Sequence, residues 1–305
     1  MSSHKKRKQH YVWRQYLISW AIDEKIFCLR EKRIINPNLM GVAQQRDFYK
    51  LNELKVDDLE FIMSFIKKSP KESRQGHAKL LSAFTYAHRV LKEISNISES
   101  KQAKEAIDLC LHNLDEDLHS GIESIGGQYL ESLLNRDTSF FKTDKGFLDF
   151  IYYLSVQYMR TKKIRESTLN AFISTPHYDI MKNSYNVLNH IFATNMGGSL
   201  YLDRHTYKMM MIENYSKTDF ITGDQPVINI FSLSTPKNIA PDNLAFYYPI
   251  SPKLAILVIE KNRFEGLETL TVTDKEVHSY NKAIIQCSHE QVYSLKKSTL
   301  ESLMN

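Results

Sequence analysis

The 305-residue chain is 42% hydrophobic and 25% charged, with 17 Tyr and 15 Phe against 10 Gly, which excludes collagen-like, Gly-rich and disordered classes. Part of its formal charge of +5 sits in the opening HKKRKQH, so the body is nearly neutral and a nucleic-acid partner is permitted without being demanded. Cys28, Cys110 and Cys287 are far apart and have neither disulfide-framework nor zinc-ligand spacing, and the longest apolar runs, such as LAILVI, are too short for a bilayer. A cytoplasmic protein with no secretory signal, no membrane partner and no cofactor is expected.

Residues 1–9 read as a basic, flexible tail. Residues 26–35, IFCLREKRII, read as a short strand, followed by a turn through Pro37 and Gly41 toward an element ending at Tyr49. Helical periodicity dominates from about 55 to 194. VDDLEFIMSFIKKS carries acids in its first turn and lysines in its last, as the helix dipole prefers. AKLLSAFTYAHRVLKEIS, AKEAIDLCLHNLDEDL, GIESIGGQYLESLL, GFLDFIYYLSVQYMRTKKIRESTL and YDIMKNSYNVLNHIFAT continue the pattern.

After Gly197-Gly198 the texture changes to short apolar or alternating runs: YKMMMIENY, FITGD, PVINIF, LAFYYPI, KLAILVIE and LETLTVT. DKEVHSYNKAIIQC reads as one helix capped by Asp274, and QVYSL as a last strand. Segregated helices and strands predict an α+β fold. The C-terminal strands would form a largely antiparallel sheet, joined by the N-terminal strand, with the helices as a large central insertion. One domain over 1–305 is expected, divided into the tail, an α/β segment over 10–54, a helical region over 55–196 and a β-rich region over 197–305 with a late helix.

Several polar residues fall where chemistry would need them. Were residues 9–20 helical, His10 and Arg14 would share a face, pairing a proton-exchanging imidazole with a guanidinium that grips phosphate. The plain alternative is a polar edge on an element whose Val12, Tyr16, Leu17 and Trp20 are buried. On a helix from Gly146 to about Thr168, Gln157 and Thr161 fall on the apolar stripe and Arg160 at its margin. A buried Gln without partners costs about 1–3 kcal/mol, so either a network or a polar pocket should hold it. Asp224 and Gln225 follow a short strand, a position for a general base or for a turn carboxylate that binds amides. Glu123 stands on a helical stripe with Gly127, Leu130 and Leu134, where Gly127 would admit a close neighbour. Asp203 and His205 have strand-compatible ligand spacing but no third ligand, and no metal site is expected.

Seven pieces form an ordered set: QHYVWRQYLISW, RDFY, GIES, VQYMRTKKIR, FITGDQPV, YYPISP and VHSYNKAIIQ. Together they resemble the bacterial family catalogued as domain of unknown function 4238, over nearly the whole chain. Its members carry HYVPxxYLxxF at the start, QxxRT in a central helix, FxTSDxPV after it and an Asn-containing helix near the end. The resemblance implies shared polar positions at His10, Glu123, Gln157, Arg160, Thr161, Asp224, Pro226 and Asn281. Trp13 stands where the family usually has Pro, and Gly223 where it usually has Ser. The resemblance brings no reaction, but it groups residues far apart in sequence.

Two expectations about function follow. In the first, the chain is a metal-independent enzyme that cleaves or transfers phosphoesters of RNA or DNA, as a toxin or anti-phage effector. Its catalytic residues would be His10, Glu123, Arg160 and Asp224, with Arg14, Gln157, Thr161, Gln225 and Asn281 binding substrate. In the second, it is a non-catalytic sensor or partner-binding subunit of a defence complex, and the polar set is a structural network. A metal-dependent nuclease using Glu123, Asp224 and His10 as ligands is a third reading, without supporting ligand spacing. Convergence on an open cleft would favour an enzyme, and burial a network.

Overall fold

The computed structural model describes residues 4–97, 101–235 and 241–304; the first three residues of the basic tail lie outside the described residues. The opening segment is not one helix. Strand β1 (Lys8–His10) is followed by a single turn of helix, α1 (Arg14–Leu17), and a 3-10 turn over Ile18–Trp20. His10 and Arg14 therefore share no helical face. Trp13 caps α1 with φ −60°, a value close to the one a proline ring would fix.

Strands β2 (Ala21–Ile22), β3 (Lys25–Arg30), β4 (Arg33–Ile35) and β5 (Gln44–Arg46) follow. The strand expected over 26–35 is a hairpin, because Glu31 and Lys32 adopt φ of 50° and 60°, the left-handed pair of a tight hairpin turn.

The helical region holds α2 (Val56–Lys68), α3 (Lys71–Ile97), α4 (Lys101–Leu134), α5 (Asp144–Met159), α6 (Lys162–Phe172) and α7 (Tyr178–Leu202). Helix α4 runs unbroken through Gly121, Gly126 and Gly127, where two helices were expected. Tertiary packing offsets the glycine cost. At Gly126 an added Cβ would stand 2.1 Å from the Tyr153 ring, and at Gly127 3.1 Å from the Trp13 indole. The close approach foreseen at Gly127 is thus tighter one residue earlier.

The helix expected from 146 to 168 breaks at Arg160, the C-cap of α5. Thr161 begins α6 as its N-cap, accepting a hydrogen bond from the Ile164 amide at 3.4 Å. Gln157 and Thr161 therefore do not share one stripe. Helix α7 continues past Gly197-Gly198, the expected boundary.

The strands are β6 (Tyr207–Asn214), β7 (Thr222–Gly223), β8 (Ile228–Asn229), β9 (Phe246–Ser251), β10 (Leu254–Glu260) and β11 (Thr269–Val272), then helix α8 (Asp274–Cys287), β12 (Val292–Ser294) and a short α9 (Lys297–Glu301). The cap of α8 is Thr273 rather than Asp274: Thr273 and Glu276 form a reciprocal capping box. One five-stranded sheet has the order β11-β6-β10-β9-β8, antiparallel except for the parallel β11–β6 pair. A second joins β2, β3, β12 and β7, with β4 beside β3. Strand β12 pairs with β3 from Val292↔Leu29 to Ser294↔Phe27, so the N-terminal strand does return to the C-terminal strands. The fold is α+β.

Apolar burial falls into two clusters. The larger joins the N-terminal segment, both sheets, α5 and the C-terminal half of α4; the smaller joins α2, α3, α6 and the N-terminal halves of α4 and α7. Leu118 and Phe192 pack against both. The boundary between them crosses α4 at residues 112–123, and there the helix turns polar inside.

Residues 4–7 lie along α4. The Lys6 amide donates to Asn113 Oδ1 at 2.9 Å, Lys6 Nζ meets Asp117 at 2.7 Å, Lys5 pairs with Asp108, and Arg7 pairs with Asp47 at 3.0 Å. Among the described residues, no helix is long and apolar enough to cross a membrane.

Candidate functional site

Between the two apolar clusters, α4 presents His112, Asp115, Glu116, His119 and Glu123 inward at spacings of three and four residues. Arg160 is its cationic counterpart. Leaving α5 as its C-cap, it is 1% exposed and spends its guanidinium on three partners. Nε donates to Tyr49 Oη at 2.8 Å, Nη1 pairs with the Glu123 carboxylate, and Nη2 donates to the His10 carbonyl at 2.5 Å. Gln9 ties the same strand down, accepting from the Tyr49 amide at 2.6 Å and donating to the His112 carbonyl at 2.8 Å. The opening strand is thus fastened to α4 and α5 by buried polar bonds.

A second group adjoins this one. His190 of α7 lies 2.7 Å from Asp115 Oδ1, and His119 Nε2 lies 3.5 Å from the same oxygen. The imidazoles of His119 and His190 stack at 4.8 Å, and Tyr49 packs on His119 at 4.5 Å. Burial, with Arg160 and His190 nearby, holds His119 well below the ordinary 6.5 and therefore neutral. Burial pushes the half-buried Glu116 up to about 7 despite the pull of Arg160. It also raises Glu123, against the attraction of the same guanidinium. Both ring nitrogens of His119, Glu116 Oε2 and His10 Nε2 are buried without a hydrogen-bond partner. Such groups cost about 1–3 kcal/mol each, so this layer is not a finished hydrogen-bond network.

Of the residues singled out in the sequence, His10, Glu123 and Arg160 come together here. The half-buried His10 ring feels both Arg160 and Arg14, and burial lowers it below 6.5. Arg14 itself pairs outward with Glu24. Gln157 is buried and its Nε2 lacks a partner.

The other residues belong to separate ties. Thr161 donates to Gln225 Oε1, and Gln225 Nε2 donates to the Val227 carbonyl at 2.7 Å and the Tyr158 carbonyl at 3.1 Å. Asp224, fully buried, accepts from the amides of His289, Glu290 and Gln291 at 2.7, 2.8 and 3.0 Å. Its carboxylate is spent on this turn and makes no hydrogen bond to His10. Asn281 of α8 accepts from the Ile221 amide at 3.0 Å and donates to the Asp219 carbonyl at 2.9 Å. Glu123, Asp224 and His10 do not group as metal ligands. Asp203, the C-cap of α7, and His205 beyond it are both exposed.

The family model described as "Protein of unknown function (DUF4238)" matches residues 8–298. The chain belongs to this family. No curated protein and no solved structure matches it. Six of the positions matched to the family pattern thus fall into four ties, Glu123–Arg160–His10, Thr161–Gln225, Asp224 with 289–291, and Asn281 with 219–221, while Gln157 and Pro226 belong to none of them.

Sequence reasoning missed Tyr49, Asp115, Glu116, His119 and His190. The signal for two of them was present in DEDLHSGIE, where Asp115 and His119 recur with the already selected Glu123 every four residues on one helical face. Leu118 and Ile122 interrupt the same stretch, and a polar stripe beside apolar residues is also the pattern of a solvated helix side. His190, a lone His within an apolar helix pattern, carried no such signal.

An open cleft lies elsewhere. A cleft of about 630 Å³ lies between the start of α5, the start of β6 and the loop at 266–268. Phe141, Phe147 and Met209 give it an apolar floor, and none of the sequence-selected residues lines it.

Proposed function

We propose that this chain is a non-catalytic sensor or partner-binding subunit, in which the polar positions of the family pattern hold the frame. The observation that carries the reading is the burial and internal use of those groups. Arg160, Thr161, Asp224 and Asn281 are each at most 1% exposed, and each spends its side chain on a partner within the protein. A catalytic acid, base or phosphate clamp must instead reach its substrate.

The open cleft is the recognition surface in this reading. Its lining includes Lys142, Arg204, Lys208 and Lys261 against Asp144 and Glu268, an excess of positive charge over an apolar floor. Lys142 pairs with Glu268 and Arg204 with Asp144, whereas Lys261 has no carboxylate partner among the described residues. Size and charge suit a phosphate-bearing ligand of nucleotide dimensions. Titration calorimetry with mono- and dinucleotides tests this. Saturable binding weakened by Lys261→Ala, with no turnover of the ligand, is the expected result. Binding that survives Lys261→Ala together with Arg204→Ala would remove the cleft from the proposal.

A second reading, a phosphoester-cleaving or transferring enzyme acting on nucleic acid in a toxin or anti-phage setting, is favoured by His10. Its ring is half-buried, near Arg160 and Arg14, with Nε2 unpartnered. Loss of RNA or DNA cleavage in a folded His10→Ala protein would support it. Absence of cleavage by wild-type protein, alone and with the products of adjacent genes, would end it.

A further inference from the structure

The Asp115, His119 and His190 group belongs to none of the four ties and has no part in the cleft. Asp115 and His119 stand one helical turn apart on α4, and His190 faces them from α7. One ligand atom from each lies within 4.8 Å of the others. A transition ion sits about 2.0–2.2 Å from such donors, so ligands around it are roughly 3–4 Å apart. Asp115 Oδ1 is already at 2.7 Å from His190 Nε2 and 3.5 Å from His119 Nε2, and only a small closure of the two rings is needed.

A second observation points the same way. His119 is 1% exposed, and neither ring nitrogen has a hydrogen-bond partner, so a buried donor set leaves an unspent lone pair beside Asp115 and His190.

We propose that Asp115, His119 and His190 bind one first-row divalent transition metal ion. Two imidazoles and one carboxylate select such ions over magnesium or calcium, which prefer all-oxygen shells. The ion would join α4 to α7 at the boundary of the two apolar clusters. Tyr49 and Phe84, packed on His119 and His190, would fix the ring orientations. The inference is independent of whether the cleft binds a ligand or His10 acts as a catalyst.

The test uses the full chain, stripped with chelator and titrated with Zn²⁺. One equivalent should bind and raise the melting temperature, because the ion binds the folded state. X-ray absorption of the zinc-loaded wild-type protein should show a nitrogen and oxygen shell with two imidazoles. His190→Gln should weaken binding by about 100-fold or more, while His4→Ala leaves it unchanged. Failure of wild-type protein to bind Zn²⁺ saturably overturns the proposal. So does a shell containing sulfur or fewer than two imidazoles, a reading that holds even if His190→Gln does not fold. Unchanged affinity in a folded His190→Gln protein also overturns it.

Discussion

Arg160 and Glu123 form an ion pair sealed between the two apolar clusters, and the same guanidinium holds the His10 carbonyl and the Tyr49 hydroxyl. The pair links α4, α5 and the opening strand. Removing one partner leaves a charge buried without compensation, which costs far more than replacing both with apolar groups. Glu123→Ala should therefore destabilise the protein by about 3–5 kcal/mol in urea denaturation. The double variant Glu123→Leu with Arg160→Met should be clearly more stable than Glu123→Ala. Equal losses in the two proteins would mean that packing, not the uncompensated charge, dominates.

Asp224 gives a second, separable prediction. Its two oxygens serve three amides of the turn that leads into β12. An amide side chain keeps only one acceptor and turns donors toward the backbone N–H groups. Asp224→Asn should lower stability by about 2–3 kcal/mol, and exchange of the 289–291 amides should accelerate more than exchange in α4. Ligand binding at the distant cleft should persist. A loss of binding with stability unchanged would move Asp224 from the frame to the site.

These residues also mark how far sequence alone reaches. Helix α2 and the C-terminal strands were legible because their patterns are local: end charges for the helix, alternating or apolar runs between turn residues for the strands. The break at Arg160 was not, since the Thr161 side chain that caps α6 is also tied to Gln225, 64 residues away. Glycines 121, 126 and 127 imply an interruption locally, yet the Tyr153 and Trp13 rings that fill the space beside two of them come from other elements. The site divided in the same way. His10, Glu123 and Arg160 were chosen individually and do meet, but the partner Tyr49 and the adjoining His119 depend on how α4 lies between two cores. That placement is a tertiary property.

Gly223 shows one such dependence in a testable form. The family pattern has Ser there, but an added Cβ would stand 2.1 Å from Ser288 Oγ and 3.1 Å from the Gln291 carbonyl. In this chain the room for a side chain is taken by Ser288. Gly223→Ser should destabilise by about 1–3 kcal/mol through overpacking. Adding Ser288→Gly should recover most of the loss, as read by melting temperature. If the second change gives no recovery, the Gln291 carbonyl rather than Ser288 is the obstacle.

His10 predicts a pH dependence. Burial, reinforced by Arg160 and Arg14, lowers its imidazole below 6.5 in the folded protein, against a backbone hydrogen bond with Leu39 that raises it. The unfolded chain therefore takes up a proton near 6.5 that the folded chain still refuses. The contribution of a neutral His10 is complete above 6.5 and is lost progressively as pH falls toward the lower folded value. His10→Gln, which cannot titrate, should lack this component. Melting temperatures compared from about pH 7.5 to pH 5 should thus show wild type losing stability faster than the variant, with the gap opening near the unperturbed histidine range. Other titrating groups common to both proteins cancel in the difference. Parallel curves would mean that His10 is solvated enough to titrate normally, and its unpartnered Nε2 would then be reached by water rather than sealed beside Arg160.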